Sequence, residues 1–558
     1  MNTLSLNSEI KECALNICKR IASNQEIVAA CFHGPRISGY GDEKSDVNIL
    51  LLLKSSRLLL KYHFKQFGGV TFVVLTADQE TFEKDVERDR IGGLIAEKLL
   101  TPYEPIINEG YLWRQEVKAK KVIVSELLGN LIIELPEMSH ELFIKPEYFM
   151  FEAMARKASL FPLITFGFLN MMRTELKERN VESMMMGFHR ALDELAEEGK
   201  IEFSDRYIRV TKSYINEIVG KHLRVIYLFR NVRRGIIRYI FRIFPNMTYL
   251  FMKEQELYNQ RFPDLNGSSE ELIFKLEDPK EYIFTATPLG LVSLSERITI
   301  EEFVRKNVPG GHALEIETKK LGGVLNTVYL LTFKKGQYEE RVVVKMFKDW
   351  YSLKWFPLAL WALGTRGFAV LGKSRLEKEY AINRYLSSHG IHVPKVIYIT
   401  PKERLIFEEY IDGVNLVEIV KRAYSIEEKT EKTNIIKEVG KEIAKIHKLG
   451  VALGDCKPEN VIVDSNENIY FVDLEQAVRG GDQAWDIAEF LYYLGHHLSI
   501  SPLKIIKIIT REFIEGYLEA GGKRENVKKI RSPKYVKVFS FFTPPHIVLA
   551  ISNYVRKY

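Results

Sequence analysis

The sequence LGDCKPENVIV at residues 453–463 decides the fold of the C-terminal half of this chain. It places an acid, a lysine and an amide at the spacing D-x-K-x-x-N, as Asp455, Lys457 and Asn460. A second segment, YFVDLEQA, follows at residues 470–477 and carries another acid after an apolar run. A chance occurrence of both segments in this order and at this distance, downstream of a lysine in an apolar strand, is implausible.

The four polar residues of these segments have the chemistry that phosphoryl transfer requires. Asp455 is expected to orient an attacking hydroxyl, and Lys457 to neutralise the phosphoryl group in transit. Asn460 and Asp473, the acid of the second segment, are expected to be ligands of a divalent ion, Mg²⁺ or Mn²⁺. The pattern predicts an ATP-dependent phosphotransferase with Asp455 and Lys457 as its catalytic residues.

An upstream lysine, Lys345, lies inside the apolar strand RVVVKMF at residues 341–347. Burying a lysine is costly unless it is paired. The cost is explained if Lys345 grips the phosphates of ATP and is held by a helix carboxylate, with Glu379 as the first candidate and Glu377 as the second. The preceding turn retains a single glycine, Gly323, of the pattern that covers the phosphates in such sites.

The segment RLIFEEYIDG at residues 404–413 is interpreted as the strand and hinge next to the adenine. Backbone groups at Glu409 and Ile411 would then meet the adenine edge, and Glu408 would occupy the gatekeeper position. An ordinary strand followed by a turn remains the alternative interpretation.

The departures from typical protein kinases are themselves informative. Leu453 and Gly454 stand where a His-Arg pair is usual, DLE replaces DFG, and only twelve residues separate Asp473 from Asp486. No APE motif follows, so a peptide-docking platform is missing. The pattern resembles the atypical kinases of the Bud32 and RIO-like groups, together with lipopolysaccharide and aminoglycoside phosphotransferases. In that comparison Asp486 is expected to be structural.

Composition and length bound the remaining possibilities. A chain of 558 residues with 46% hydrophobic and 27% charged residues is expected to be soluble and multidomain. The most apolar run, residues 355–363, is far shorter than the roughly 20 residues that span a bilayer. No membrane association is therefore expected. The four cysteines form no CxxC pair, so reduced thiols are expected, and a cytoplasmic location is the interpretation that follows.

Residues 26–53 are interpreted as a strand, a glycine-containing turn and an apolar strand. This order resembles the nucleotidyltransferase fold, in which paired carboxylates hold two metal ions. Gly34 and Asp46 match that pattern, but the second acid position is Asn48, and Thr71 stands where a third acid is usual. Residues 1–135 are therefore expected to form a degenerate nucleotidyltransferase-like domain without catalytic activity.

The middle domain, residues 136–260, combines helical periodicity with a hairpin, which fits either a winged helix-turn-helix or an ordinary helical domain. Its segment 221–244 contains no acidic residue. Four arginines recur there at four-residue spacing and face RNA in the preferred interpretation, with an acidic protein or a membrane surface as alternatives. These RNA-contact candidates are Arg230, Arg234, Arg238 and Arg242.

The fold class that emerges is multidomain α/β and α+β. A linker at residues 261–300 is expected to lead into a bilobal, atypical protein-kinase-like domain at residues 301–558. By domain order the whole chain resembles the archaeal tRNA kinases that phosphorylate an internal ribose 2′-hydroxyl in the variable loop. That resemblance implies tRNA as the substrate partner. A Ser/Thr protein kinase of the Bud32 or RIO type, with a protein substrate, and a non-catalytic RNA-binding module are the alternatives.

Overall fold

A computed structural model divides the protein into two compact units, Met1–Phe284 and Thr285–Tyr558. No helix in the part of the chain that it describes is long and apolar enough to cross a membrane. The described residues are 8–55, 60–88, 93–160, 164–220, 276–307, 315–322, 326–335, 338–349, 371–425, 434–498 and 502–558.

A five-stranded sheet forms the first part of the N-terminal unit. Its elements are α1 (Ser8–Ala22), β1 (Ile27–His33), β2 (Val47–Leu53), β3 (Leu60–Phe67), β4 (Val70–Asp78), α2 (Gln79–Arg88) and β5 (Tyr103–Ile107). The strand order is β3-β4-β2-β1-β5, and β2 and β4 run parallel while the other neighbours are antiparallel. Alternate residues of β2 enter two different hydrophobic clusters, so the sheet is covered on both faces.

Helices dominate the rest of the first unit. The elements are α3 (Glu109–Glu134), β6 (Leu142–Ile144), α4 (Glu147–Leu160), α5 (Ile164–Met171), α6 (Thr174–Glu197), β7 (Ile201–Ser204), β8 (Tyr207–Val210) and α7 (Lys212–Gly220). Strands β7 and β8 form an antiparallel hairpin, and β8 also pairs with β6. Helices followed by a hairpin are what the sequence pattern predicts, and the winged-helix interpretation of them stays a prediction. The segment 221–244, with its four arginines, lies outside the described residues.

Regular structure begins before residue 301, within the range interpreted as a linker. The elements there are β9 (Ile283–Thr287), β10 (Gly290–Ser293) and the start of α8 (Ile300–Asn307). Phe303 of α8 is buried and stacks on Phe407 with ring centroids 4.0 Å apart. Residues of β10 and α8 therefore share a hydrophobic cluster with the small sheet of the second unit.

That small sheet has five antiparallel strands in the order β11-β12-β13-β15-β14. Its strands, with the helix that connects β13 to β14, are β11 (Glu315–Gly322), β12 (Asn326–Lys335), β13 (Tyr338–Phe347), α9 (Gly372–Ser388), β14 (Val396–Thr400) and β15 (Leu405–Glu409). Lys345 lies in the middle strand, opposite Val328 on one side and Ile406 on the other. The sheet thus holds this lysine between two neighbours.

A larger, mainly helical subdomain follows. Its elements are β16 (Gly413–Asn415), α10 (Leu416–Ser425), α11 (Asn434–Lys448), β17 (Val451–Ala452), β18 (Val461–Asp464), β19 (Ile469–Phe471), β20 (Val478–Arg479), α12 (Gln483–His497), α13 (Leu503–Glu519), α14 (Arg524–Lys529), α15 (Pro533–Phe539) and α16 (Pro545–Val555). Helix α11 buries Ile436, Val439 and Ile443 at helical spacing, and a large hydrophobic core surrounds α12. The mixed α/β multidomain class expected from the sequence is confirmed, including a C-terminal kinase domain that the comparisons below identify.

Candidate active site

Lys345 lies at the centre of a buried charge cluster. Its side chain is 8% exposed, and its Nζ lies 2.6 Å from Oε1 of Glu379 on α9 and 3.1 Å from Oε2 of Glu408 on β15. Oδ1 of Asp473 is 3.9 Å away. The lysine and the helix acid that the sequence pattern pairs are therefore in contact, whereas the contact with Glu408 depends on strand register.

The electrostatics keep Lys345 charged. Burial alone would lower the pKa of Lys345, but the carboxylates of Glu379, Glu408 and Asp473 raise it well above its usual value. For Glu379, burial and the neighbouring acids raise the pKa despite the opposing effect of the lysine. Three carboxylates surround one ammonium group, so the cluster carries excess negative charge, and a further cation would stabilise it.

The loop between β17 and β18 brings Asp455, Lys457 and Asn460 together. Nζ of Lys457 lies 2.6 Å from Oδ1 of Asp455, and Nδ2 of Asn460 donates to the main-chain oxygen of Asp455 at 2.8 Å and to its Oδ2 at 3.2 Å. Burial would lower the pKa of Lys457, but Asp455 raises it above its ordinary value. The carboxylate of Asp455 is thus held in one orientation from two sides.

Asp473 follows β19 with a left-handed backbone, φ 64°, which is uncommon for a residue with a side chain. Burial raises its pKa, while Lys345 opposes the rise. Asn460 uses its Nδ2 on Asp455, so its Oδ1 is the atom that suits a metal. No group of three or more His, Cys, Asp or Glu in the described ranges has metal-site geometry. One carboxylate with one amide oxygen fits a divalent ion that also binds phosphate oxygens.

The side chain of Asp486 fixes the main chain of the loop between β17 and β18. Its two carboxylate oxygens accept the main-chain N–H groups of Leu453 and Gly454, both at 2.7 Å, and Nε2 of His447 is 3.0 Å from Oδ2. Oε2 of Glu489 accepts the N–H of Cys456 at 2.9 Å. The main chain before and after Asp455 is therefore fixed by acids of α12.

A second buried cluster joins α9 to the segment after Asp473. Nη2 of Arg375 is 2.7 Å from both carboxylate oxygens of Glu475, and Asn326 hydrogen bonds to both residues. The sequence interpretation did not find this cluster. Asn326 and Glu475 stand where glycines are usual in protein kinases, and a polar residue at both places was the available clue.

Glu409 and Ile411, the residues expected to meet an adenine, lie at the end of β15 and just after it. The N–H of Glu409 donates to the carbonyl of Lys395 at 2.9 Å, so this N–H is not available to an adenine. Ile411 follows β15 and is partly buried. Gly323 lies outside the described residues.

The comparisons with known proteins agree with this geometry. Residues 365–486 match the family described as "Protein kinase domain". The chain is a phosphotransferase. A KEOPS complex subunit Bud32 from Pyrococcus abyssi is 29% identical over 164 residues, which cover 29% of this chain and 72% of that protein. This similarity supports an atypical, Bud32-like kinase, and kinase domains in general use ATP with a divalent metal.

Two further relatives carry names that refer to a sugar acid and to tRNA. A 3-deoxy-D-manno-octulosonic acid kinase from Vibrio vulnificus is 27% identical over 149 residues, covering 25% of this chain and 54% of that enzyme. A probable bifunctional tRNA threonylcarbamoyladenosine biosynthesis protein from Thermoplasma acidophilum is 30% identical over 99 residues, covering 18% of this chain and 17% of that protein. The chain thus covers 54% and 17% of the length of these two proteins, less than two thirds of each.

Proposed function

We propose that the protein is an ATP-dependent RNA kinase that transfers the γ-phosphate to an internal ribose 2′-hydroxyl of tRNA, with a variable-loop uridine as the expected acceptor. The observation that carries the proposal is the short segment between Asp473 and α12. Val478–Arg479 of this segment already pairs with Val451–Ala452, and α12 begins at Gln483. Such a segment has no room for the platform on which protein kinases bind a peptide.

The reaction would use the residues in the following way. Asp455 accepts a hydrogen bond from the attacking 2′-hydroxyl and orients it towards the γ-phosphate. The 2′-oxygen bonds to the γ-phosphorus as the bond from that phosphorus to the β,γ-bridging oxygen breaks and ADP leaves, and Lys457 neutralises the phosphoryl group in transit. Lys345, held by Glu379, contacts the α- and β-phosphates. When bound at Asn460 and Asp473, a divalent ion would add positive charge next to the phosphates.

The printed names of the relatives support an acceptor that is not a protein. One relative is named as a kinase of a sugar acid, so this type of domain also serves a carbohydrate hydroxyl. Another is named for tRNA threonylcarbamoyladenosine biosynthesis. A ribose hydroxyl on tRNA combines these two properties. Arg230, Arg234, Arg238 and Arg242 would hold the phosphates of that RNA.

The second candidate is an atypical Ser/Thr protein kinase. It is favoured by the similarity to the Bud32 subunit and to a fission yeast KEOPS complex subunit, which is 25% identical over 158 residues. A serine hydroxyl must be oriented by Asp455 in the same way as a ribose hydroxyl. The two candidates therefore differ in how the acceptor is delivered and not in the phosphoryl-transfer residues.

One experiment separates them. The full chain is incubated with γ-labelled ATP and either total tRNA or a mixed protein substrate, with Asp455→Ala as the inactive control. Label is expected in tRNA. Alkali cleaves RNA only next to a free 2′-hydroxyl, so an internal 2′-phosphate should yield a labelled, alkali-resistant dinucleotide. Label that appears only in protein would overturn the RNA proposal and support the second candidate.

The proposed arginine row has its own test. Replacing Arg234 and Arg238 together by glutamate should weaken tRNA binding and flatten its dependence on salt, because fewer counterions are released. Asp455→Ala should bind tRNA with normal affinity. An unchanged affinity of the double variant would remove the arginine row from the proposal.

A further inference from the structure

The two faces of the small sheet in the kinase unit differ in what covers them. Side chains alternate between the faces of a strand, and residues paired across two strands lie on the same face. Lys345 therefore lies on one face together with its cross-strand neighbours Val328 and Ile406. The side chains of the opposite face belong to the hydrophobic cluster that β10 and α8 complete, and they include Leu331, Phe333, Val342, Val344 and Phe407.

Glu408 shares the face of Lys345. The register of β13 and β15 pairs Glu408 with Val343, which stands two residues before Lys345. A strand rises about 3.3 Å per residue, so the backbone of Glu408 lies roughly 7 Å farther along this face, towards the hinge residues Glu409 and Ile411. An ATP molecule with its phosphates at Lys345 and its adenine at the hinge would lay its base over this part of the face.

The aliphatic side chains around Glu408 are open enough to receive a ring. Val328, Leu330 and Val343 are half-buried, whereas the side chains of the opposite face are buried. Leu330 lies on β12 directly opposite Val343. Small-molecule sites are usually lined by apolar side chains with a few polar groups that fix the orientation of the ligand. Glu408 is the polar group at this place.

The carboxylate of Glu408 is only half used by the protein. Its side chain is buried, and its Oε2 lies 3.1 Å from Nζ of Lys345. Its Oε1 is also buried, and it has no hydrogen-bond partner among the residues that the structure describes. Because an unsatisfied buried acceptor is costly, such an atom points to a donor that the protein does not supply. Glu379 already provides Lys345 with a counterion, at 2.6 Å.

The exocyclic amino group of adenine is a donor that suits Oε1. This group carries two hydrogens, of which the main-chain carbonyl of Glu409 can accept one. The other is free for an acceptor on the residue before it in the strand. Guanine has a carbonyl oxygen at the same ring position, and a carboxylate repels this oxygen. An acid at this place would therefore attract one purine and reject the other.

We propose that Glu408 selects adenine as the base of the phosphoryl donor, because Oε1 accepts a hydrogen bond from the exocyclic amino group while Oε2 stays on Lys345. The inference rests on the ATP-dependent phosphoryl transfer of the proposed function and not on its acceptor. The competing account is a water molecule between Glu408 and Glu379, whose Oε2 also lacks a hydrogen-bond partner within the described residues. Such a water would not select a base.

Nucleotide binding tests the inference without any acceptor. The parent protein is the full chain with Asp455→Ala, which is titrated in a calorimeter with ATP, GTP or purine riboside triphosphate in the presence of Mg²⁺. Purine riboside has a hydrogen atom where adenosine has its amino group. The parent should bind ATP at least about 10-fold more tightly than either of the other two nucleotides, because a hydrogen bond to a charged group is lost in both.

Glu408→Met in the parent removes the carboxylate and keeps the length of the side chain. The Kd of purine riboside triphosphate divided by the Kd of ATP should fall about 10- to 150-fold, because the bond to the carboxylate is lost from the ATP complex alone. The matched control is Glu403→Met, an exposed position in the turn before β15. This control should keep the ratio of the parent. The midpoint of thermal unfolding reports whether each variant is folded.

Glu408→Gln is a second variant, which carries the test if Glu408→Met does not fold. Its amide can offer an N–H group to the oxygen of guanine or an oxygen to the amino group of adenine. The Kd of GTP divided by the Kd of ATP should therefore fall about 10-fold or more.

The outcomes separate this inference from the proposed function. If both variants weaken all three nucleotides equally, Glu408 is only a counterion of Lys345 and the inference is wrong. Equal affinities of the parent for ATP and purine riboside triphosphate would overturn it as well. A parent that binds no ATP would contradict the proposed phosphoryl donor. If the ratios change as expected but the wild type labels only protein, the RNA acceptor is refuted and the selection of adenine stands.

Discussion

Arg375 on α9 and Glu475, two residues after Asp473, form an ion pair in which the arginine side chain has no exposed surface. Glu379, the partner of Lys345, lies one helical turn farther along α9. The pair therefore connects the helix that carries the partner of Lys345 to the segment that follows Asp473. In many kinases these parts come together through a phosphorylated loop, whose arginine partner this chain lacks at Gly454.

Arg375→Met should strongly destabilise the second unit and reduce phosphoryl transfer. Removing one partner of a buried pair leaves the other without compensation and costs about 3–5 kcal/mol. The double variant Arg375→Met/Glu475→Leu should regain part of the stability, because both charges are gone. Unfolding of the full chain and its kinase activity measure both effects. Equal stability of the single and double variants would show that the pair is not coupled.

The same glutamate predicts a pH dependence. Burial and the nearby Asp473 raise the pKa of Glu475 to about 7, despite the lowering effects of Arg375 and Asn326. The folded state then binds more protons than the unfolded chain between about pH 4.5 and pH 7. The stability from this group is complete below the unfolded pKa and is lost as the pH rises through the folded one.

Glu475→Gln provides the reference for that pH dependence, because its amide does not titrate. The difference in unfolding midpoint, wild type minus variant, should fall as the pH is raised from about 5 to about 8. A difference that is constant over this range, or that grows with pH, would contradict the raised pKa.

Asp486→Asn should slow phosphoryl transfer without weakening ATP binding. Its new amide group would face one of the two main-chain N–H groups that the carboxylate now accepts, and an unsatisfied buried donor costs about 1–3 kcal/mol. We expect kcat to fall, because the loop that carries Asp455 loses its anchor, while the KM for ATP stays constant.

The matched control for Asp486→Asn is Asp464→Asn. Asp464 also accepts two main-chain N–H groups, from Asn466 and Asn468, but in a turn away from the site. It should leave kcat unchanged. If both variants lowered kcat equally, the effect of Asp486 would be a general loss of stability.

The local part of the site was predictable from the sequence, and the long-range part was not. The spacing of Asp455, Lys457 and Asn460 fixes three side chains on one short loop, so their proximity follows from chain geometry alone. The contact of Lys345 with Glu379 spans 34 residues but rests on a strand lysine that needs a partner. Predicting the second contact of Lys345, with Glu408, would have required the register of β13 and β15.

The buried contact of Arg375 with Glu475 could not be predicted from the sequence for a related reason. Arg375 and Glu475 are 100 residues apart, and nothing local marks an arginine on an amphipathic helix as buried. Tertiary packing decides this contact, and periodicity within a single element does not report it.

Residues 349–372 form an insertion between the strand of Lys345 and the helix of Glu379, with tryptophans at 350, 355 and 361. This insertion is predicted to be dispensable for folding of the kinase unit. Its two ends already meet, since Oδ1 of Asp349 accepts the N–H of Gly372 at 2.7 Å and Oδ2 binds Arg404 at 2.7 Å. Replacing residues 350–371 by a short glycine linker should preserve the unfolding midpoint of this unit. A variant that fails to fold would show that the insertion packs into the core.

The N-terminal unit, which is expected to be a nucleotidyltransferase-like domain without catalytic activity, leads to the last prediction. The parallel register sets Val47 beside Phe72, so Asp46 and Thr71, one residue earlier on each strand, reach the same end of the sheet. Asn48 lies against Gly34, where a Cβ atom would be 2.5 Å from Nδ2 of the amide. Of the three positions at which acids are usual in the nucleotidyltransferase pattern, only Asp46 is a carboxylate, and two divalent ions need more than one.

Full-length protein carrying Asp455→Ala, with its kinase site disabled, should therefore incorporate no nucleotide into RNA when given labelled nucleoside triphosphates. The informative control adds Asp46→Asn to the same chain. If incorporation occurs and is lost on this second change, the N-terminal unit is an active nucleotidyltransferase. If neither protein incorporates label while the wild type still phosphorylates its acceptor, Asp46 alone does not support nucleotide transfer and the kinase unit carries the catalysis.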